Sequence, residues 1–396
     1  LRQRLYFCSV CAKSFKGLIY LDYNATTPCA PEVLEAMLPY FSEKFGNPAS
    51  RTHAKGWQAD EAVKQATEHL AQLINCAPAE IVYTSGATES CNLAIKGVYE
   101  RLKPYGNHII TCSTEHKAVL DTCAHLEQQG ATVTYLDVDE QGQVSLEAMS
   151  AAITEQTILI ALMYANNETG VVHPVVEIGK IARARKIYFF CDATQAVGKI
   201  PVDVQSDYID LLALSAHKFY GPKGVGALYI NRRSPRVQLV AQTDGGGHQN
   251  GFRSGTLNVP GIVGLGKAAM RCKTEECQNE LMQIDEWRDE IEAGLLTLPG
   301  TLINGAAAKR LPNVINIAFG GIKAERLVSV LNDEFAFSVG SACTSAQQKA
   351  SHVLQAMHLD PKVIEGSVRI SLGRLLTAAE IPVIINRFKQ AVAALQ

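Results

Sequence analysis

No apolar run in this chain approaches the roughly 20 residues that cross a bilayer. The most apolar stretch, 157–165, has only the length of a strand, so a soluble protein without membrane contact is expected. An excess of charge of either sign is also missing. Lys and Arg number 37 against 39 Asp and Glu, for a net charge of −2, so the bulk basic character of a nucleic-acid-binding protein is absent and no direct nucleic-acid contact is expected. Residues 1–17 carry several basic side chains but no apolar core of about 7 to 15 residues, so they read as an N-terminal extension rather than a secretory signal. Cys8 and Cys11 form a CxxC, yet neither a second CxxC nor a His pair follows at zinc-finger spacing, and no metal site is expected. The cysteines number 11, an odd count scattered through strand-like and helical segments, which points to reduced thiols in a cytoplasmic compartment. Internal repeats and low-complexity linkers are absent too.

What the chain does have is enough apolar material for a large core, 47% over 396 residues, with a division into one large and one smaller domain expected. Short runs rich in branched and aromatic residues at 81–83, 108–112, 132–138, 158–164, 187–191, 211–214 and 225–230 read as buried strands. Helical patterns at 88–102, 116–129 and 175–186 alternate with them. That alternation predicts an α/β fold with a mainly parallel seven-stranded sheet. Beyond Pro260 the texture changes to a charged amphipathic segment at 274–298, a strand pair around 313–319, a Gly-rich loop holding Cys343 and a terminal helix. The expected division is therefore a large domain over 18–260 and a small α+β domain over 261–396, with residues near 18–30 able to pack against the latter.

The chemistry begins at Tyr83-Thr84-Ser85-Gly86-Ala87-Thr88-Glu89-Ser90, a strand turning through glycine into a helix. Such a helix N-terminus offers N–H groups and hydroxyls to a phosphate, although the same turn can be purely structural. Asp192 ends a strand, and Ser215-Ala216-His217-Lys218 follows 26 residues later, leading into Phe219-Tyr220-Gly221-Pro222-Lys223-Gly224. A strand-end carboxylate that keeps a pyridine nitrogen protonated, paired with a loop lysine that captures an aldehyde, is what pyridoxal chemistry demands. Taken singly, Asp192 can be a helix cap and Lys218 a solvated charge; their order along the chain argues against both.

At this point the sequence resembles a known family. LDYNATTP from Leu21, SGATES from Ser85, TEHKAVLDTC from Thr114, NNETGVV from Asn166, DATQAVGK from Asp192, SAHKFYGPKGVG from Ser215, GGGHQNGFRSGTLN from Gly245, GSACTS from Gly340 and SVRISLGR from Ser367 are similar to motifs of the group I cysteine desulfurases of the NifS/IscS type. These are fold-type I enzymes of the aminotransferase class V family that use pyridoxal 5'-phosphate and act as homodimers. The resemblance implies that Lys218 links to the cofactor, that Asp192 pairs with its ring nitrogen, that Gln195 donates to its ring hydroxyl and that His116 stacks on the ring. Ala87, Thr88, Ser215 and His217 would hold the phosphate, joined by Thr256 of a partner subunit, while Asn167 and Arg369 would bind the substrate carboxylate. Read alone, His116 can be a helix cap, Arg369 a surface position in the alternating pattern of Val368, Ile370 and Leu372, Asn167 a turn residue and Thr256 a cap.

Cys343 stands in the small-residue stretch Gly340-Ser341-Ala342-Cys343-Thr344-Ser345, where nothing bulky would bury a thiol. The resemblance makes it the nucleophile that takes sulfur from L-cysteine as a persulfide, leaves alanine and passes the sulfur to an acceptor protein. Iron–sulfur cluster assembly, tRNA thiolation and DNA phosphorothioation are the destinations it allows. A mobile loop is expected there, whereas Cys91, Cys112, Cys123, Cys191 and Cys272 read as packing residues. A selenocysteine lyase, an aminotransferase or decarboxylase of the same fold, or a non-catalytic pyridoxal-containing regulator or scaffold are the alternatives. Asn258, and Gln347-Gln348-Lys349-Ala350, depart from the common pattern on what is expected to be the acceptor-facing side.

Overall fold

The computed structural model describes residues 17–234, 236–339 and 350–396. Its strands are β1 (Ile19–Tyr20), β2 (Ile81–Thr84), β3 (His108–Cys112), β4 (Thr132–Leu136), β5 (Thr157–Ala161), β6 (Tyr188–Asp192), β7 (Leu211–Ser215), β8 (Gly226–Ile230), β9 (Thr301–Ile303), β10 (Val314–Phe319), β11 (Phe335–Ala336) and β12 (Ser367–Ser371). The large sheet has seven strands in the order β2-β8-β7-β6-β5-β3-β4. Only β8 runs against its neighbours β2 and β7; the other pairings are parallel. The sheet is the one expected, with two shortened strands: the run 132–138 ends at Leu136 and the run 158–164 at Ala161. Beyond Ala161 the N–H groups of Leu162 and Tyr164 still reach the carbonyls of Phe190 and Asp192 at 3.1 and 2.9 Å.

Alternation within each central strand divides the sheet between two cores. Ile109, Leu159, Leu211 and Ala213 face one side, against helices Ala87–Leu102 and Lys117–Glu127. Ile110, Ile160, Leu212 and Leu214 face the other, against helices Ala54–Ile74 and Val259–Cys272. With both faces covered, β3, β5, β7 and β8 are buried along their whole length, which is why their sequences are mainly apolar, with His108, Thr111, Thr157 and Ser215 the polar exceptions. The edge strand β4 is partly exposed and correspondingly richer in threonine.

A separate core holds Ile291, Ile315, Ile317, Leu327, Phe335, Val368, Ile370, Ile384 and Phe388, together with Leu21 from the start of the described chain. Its sheet has the order β12-β10-β9. The strand pair expected around 313–319 is therefore a single strand, β10, whose antiparallel partners come from β9 and β12. Helix Val259–Cys272 belongs to the first core through Ile262, Leu265, Ala268 and Ala269. Pro260 marks the start of that helix rather than a linker, and Asn258 caps it by accepting the Gly261 N–H at 3.1 Å. Asn258 thus serves the helix end; the other departing stretch, 347–349, lies outside the described residues. Among the described residues no helix is long and apolar enough to cross a membrane.

Candidate active site

The carboxyl ends of β2, β6 and β7 open onto one cavity of about 650 Å³, the usual place for a ligand in an open α/β sheet. Lys218, Asp192, Gln195, His116, Ala87, Thr88, Ser215, His217, Asn167 and Arg369 all line it. The sequence reading is brought together there with two exceptions. Thr256 is exposed and stands away from this cavity. Cys343, like Cys8 and Cys11, lies outside the described residues, and so does the expected mobile loop around it.

At one end of the cavity, β2 turns at Ser85-Gly86 into helix Ala87–Leu102. Gly86 has φ of 155°, a region closed to side-chain-bearing residues, and a Cβ on Gly226 would come within 2.7 Å of the Gly86 Cα. Two bare backbones therefore meet behind the turn. The N–H groups of Ala87 and Thr88 open the helix, where no carbonyl four residues back exists to accept them, so the positive end of the helix faces the cavity. Glu89 also lines the cavity, but its carboxylate is engaged by neighbours. It accepts the Ser85 N–H at 2.6 Å and Arg253 Nε at 2.8 Å, contacts that outweigh burial and hold its carboxyl below the ordinary range.

On the floor, the Lys218 Nζ donates to the carbonyls of Asn24 and Ala25 at 2.6 and 2.9 Å. Asp192 is 6% exposed and accepts the Thr194 N–H on Oδ1 at 3.0 Å. His116 proves to be both a cap and a wall: its Nδ1 accepts the Ala118 N–H at 3.1 Å at the start of helix Lys117–Glu127, while the ring lines the cavity. With Nδ1 accepting, the neutral ring carries its proton on Nε2. Burial is the main cause that lowers the His116 pKa, with Lys218 and His352 adding to it and Asp192 opposing. The ring of His217, hydrogen-bonded to Thr26 Oγ1 at 3.1 Å, is lowered further, to about 4, by burial and then by Lys218, Lys223 and Lys199.

Arg369 is fully interior at 2% exposure, so the surface reading of its strand fails because both faces of β12 are covered. Its guanidinium donates to the Asn167 carbonyl at 3.0 Å and to Asp22 Oδ1 at 2.7 Å, and among the described residues its Nε has no hydrogen-bond acceptor. Asn24, Asp22 and Lys199 were quoted within motifs without a role. Asn24 connects most of the floor: it also receives the Gln195 Nε2 at 3.0 Å and donates to Asn167. A short amide in a loop gives no sequence signal of such a task.

The cysteines around the sheet are poor nucleophiles. Burial pushes the thiols of Cys91 and Cys191 far up, that of Cys112 to about 11 and that of Cys123 to about 12. Cys277 is lowered to about 7 by Cys272 and Arg374, against burial, but it is fully enclosed and lines no part of this cavity.

An amine for a carbonyl carbon, a carboxylate for a ring nitrogen, a flat imidazole wall and a helix N-terminus for a phosphate are the donor set that pyridoxal 5'-phosphate requires, and the cavity has room for it. Comparison with known proteins agrees. The model of the aminotransferase class-V family matches residues 19–384. "Cysteine desulfurase IscS" of Anaeromyxobacter sp. (strain Fw109-5) is 51% identical over 381 residues, covering 96% of this chain and 93% of that protein. Among solved structures, a "NIFS-like protein" superposes with a TM-score of 0.88 at 35% identity, covering 96% of this chain and 100% of that one. "SspA in complex with cysteine" superposes at 0.80 with 38% identity, covering 89% of this chain and 98% of that one.

Proposed function

We propose that this chain, which belongs to the aminotransferase class-V family and by its 51% identity to a cysteine desulfurase over 96% of its length is a cysteine desulfurase dependent on pyridoxal 5'-phosphate, carries the sulfur of L-cysteine as a persulfide on Cys343. The observation that carries the site assignment is the convergence of Lys218, Asp192, Gln195, His116, Thr88 and Arg369 on one cavity from five separate stretches of chain. Lys218 would hold the cofactor aldehyde, Asp192 its ring nitrogen, Gln195 its ring oxygen and His116 one face of its ring. Ala87, Thr88, Ser215 and His217 would take its phosphate, whose negative charge offsets the burial that now keeps His217 neutral. When bound, the cofactor supplies an electron sink next to the substrate Cα and Cβ.

The residues then divide the work. Arg369 and the Asn167 side chain receive the substrate carboxylate. The Lys218 amine removes the Cα proton, and the neutral His116 has its Nε2 proton available at the ring. The Cys343 thiolate attacks the substrate sulfur; a sulfur–sulfur bond forms, the carbon–sulfur bond breaks, and its electron pair stays with Cβ, which takes up a proton so that alanine leaves. Although Cys343 is undescribed, the chain departs toward it from Ser338, whose N–H and carbonyl pair with Arg369 at 3.2 and 2.8 Å. It returns at Ser351, bonded to Glu168 at 2.6 Å, and at His352, bonded to the Glu115 carbonyl at 3.0 Å next to His116. The two described ends are thus paired with Arg369, which lines the cavity, and with Glu115, next to the cavity-lining His116, which supports an approach of Cys343 to a ligand inside.

A homodimer fits the exposed Leu34, Leu38, Phe41, Phe45 and Trp57, each between 48% and 66% accessible, and the position of Thr256 away from its own cavity. The sulfur would pass to an acceptor protein, in iron–sulfur cluster assembly before tRNA thiolation or DNA phosphorothioation, and the setting would be cytoplasmic. The test is Cys343→Ser in the loaded enzyme, given L-cysteine carrying labelled sulfur. It should keep the cofactor and its spectral response to L-cysteine, yet release almost no sulfide and retain no label. Desulfuration at the wild-type rate, or a persulfide mapped to Cys191 or Cys112, refutes the carrier assignment.

A further inference from the structure

We propose that Lys199 is a positioning residue that locks the Gln195 amide, so that Gln195 can offer the cavity only N–H groups. The proposal rests on the reading of Gln195 as the donor to the cofactor ring oxygen. Lys199 is one turn beyond Gln195, 8% exposed, and its Nζ lies 2.6 Å from Gln195 Oε1 and 3.0 Å from Asn24 Oδ1. A buried amine is costly to keep, and burial, with Lys218 and Arg369 adding to it, lowers its pKa well below the ordinary lysine value. Charged or neutral, the amine still has the two hydrogens its two acceptors need.

The consequence lies in the amide's orientation. Gln195 Nε2 donates to the Asn24 carbonyl at 3.0 Å, and that carbonyl can only accept. In the flipped rotamer the Gln195 oxygen would face the Asn24 carbonyl, a repulsive pair of acceptors, and its NH2 would face Lys199 Nζ, which repels it when charged and when neutral could meet it only through its single lone pair, losing the 2.6 Å bond to Oε1. Gln195 thus has its oxygen consumed on the inner side and one Nε2 hydrogen left for the cavity. Asn24 cannot drift to accommodate a flip. Its N–H is held by Ser371 Oγ at 2.9 Å, its Nδ2 by the Asn167 carbonyl at 3.0 Å, and its Oδ1 takes Asn313 Nδ2 at 3.0 Å as well as Lys199. Without Lys199 one of the two contacts that distinguish the rotamers is gone, only the Asn24 carbonyl still favours the native one, and Gln195 turns its carbonyl toward the ring oxygen more readily.

A donor on the ring oxygen draws off its negative charge and so weakens its hold on the proton of the neighbouring lysine–cofactor link; losing the donor raises the pKa of that link. The link of loaded wild type, Lys199→Met, Gln195→Leu and the double variant can be titrated by absorbance. Methionine follows the lysine stem and keeps the packing. The expected result is an upward shift of about one pH unit for Lys199→Met, the share of a charge-assisted hydrogen bond lost on average. Gln195→Leu should shift the same way, and the double variant no further than Gln195→Leu alone. A loaded Lys199→Met that titrates with wild type, or shifts that add in the double variant, overturns the proposal. An unshifted Gln195→Leu overturns instead the ring-oxygen reading beneath it. Should Lys199→Met not fold, Lys199→Ala carries the same expectation and the same refutation.

Discussion

Replacing Arg369 with lysine should lower kcat/KM for L-cysteine roughly 10- to 150-fold while the cofactor stays bound. The guanidinium side chain is 3% exposed and spends two N–H groups on Asn167 O and Asp22 Oδ1, at 3.0 and 2.7 Å. Two of its five N–H groups are spent there and three remain, enough for a bidentate grip on a carboxylate. Lysine keeps the charge but makes a point contact from a shorter stem, and so forfeits one of the two parallel bonds. A hydrogen bond to a charged group is worth about 1.5–3 kcal/mol, and each 1.36 kcal/mol is a tenfold change, which gives the stated range.

Steady-state alanine formation supplies the kinetics. Cofactor absorbance and the unfolding midpoint of the same preparations separate lost binding from lost folding, since the ion pair with Asp22 is also disturbed. An unchanged kcat/KM in a fully loaded Arg369→Lys would remove Arg369 from the substrate site. So would a loss matched by loss of cofactor.

Lys218→Ala should be colourless, and borohydride reduction of wild type should fix the cofactor on Lys218; a label on another lysine refutes the assignment. Mixing Lys218→Ala chains with Thr256→Ala chains should restore part of the activity if each cavity borrows Thr256 from its partner, and no restoration counts against the shared site. His173 is buried with neither ring nitrogen hydrogen-bonded among the described residues, and burial lowers it from 6.5 to about 4. The unfolded chain therefore binds a proton below about 6.5 that the folded one refuses until about 4, so this proton linkage is absent at neutral pH and costs up to about 3 kcal/mol as the pH falls through that window. His173→Leu should flatten the acid loss in denaturant unfolding; an unchanged difference between neutral and mildly acid stability refutes it.

The large sheet was legible because parallel strands covered on both faces must be continuously apolar, and a run such as 211–214 has no other sensible reading. Asp192 and Lys218 were legible because they follow the ends of β6 and β7, where such sheets keep their chemistry. Arg369 was not settled by pattern, since alternation says which residues share a face and not whether that face is covered. The helix starting at Val259 was misplaced with the second core because Pro260 reads equally as a break or as a first-turn proline, and only packing against helix Ala54–Ile74 decides. Asn24 and Lys199 escaped for a different reason: the partners of Asn24 are 143 to 347 residues away, and for Lys199 the significant fact is burial, which a lysine beside glycine does not advertise.

Residues carried by both sheets line the one cavity. Lys218, Asp192 and Gln195 hang from the first sheet, whereas Arg369 belongs to β12 of the second. The amine-bearing carbon and the carboxylate of one small amino acid would then be held by different bodies of the fold, and a slip of an ångström between them would spoil both. The chain from 21 to 27 prevents that slip. Leu21 is seated in the second core; Asp22 pairs with Arg369, and Asn24 takes Lys218 and Gln195 while its N–H is held by Ser371 at the end of β12. Thr27 then receives the Tyr220 N–H at 2.8 Å and donates to the His217 carbonyl at 2.9 Å on either side of the lysine. A single short segment therefore sets the distance between the lysine and the arginine, which is why so many of its polar atoms are spent on the two sheets and so few on water.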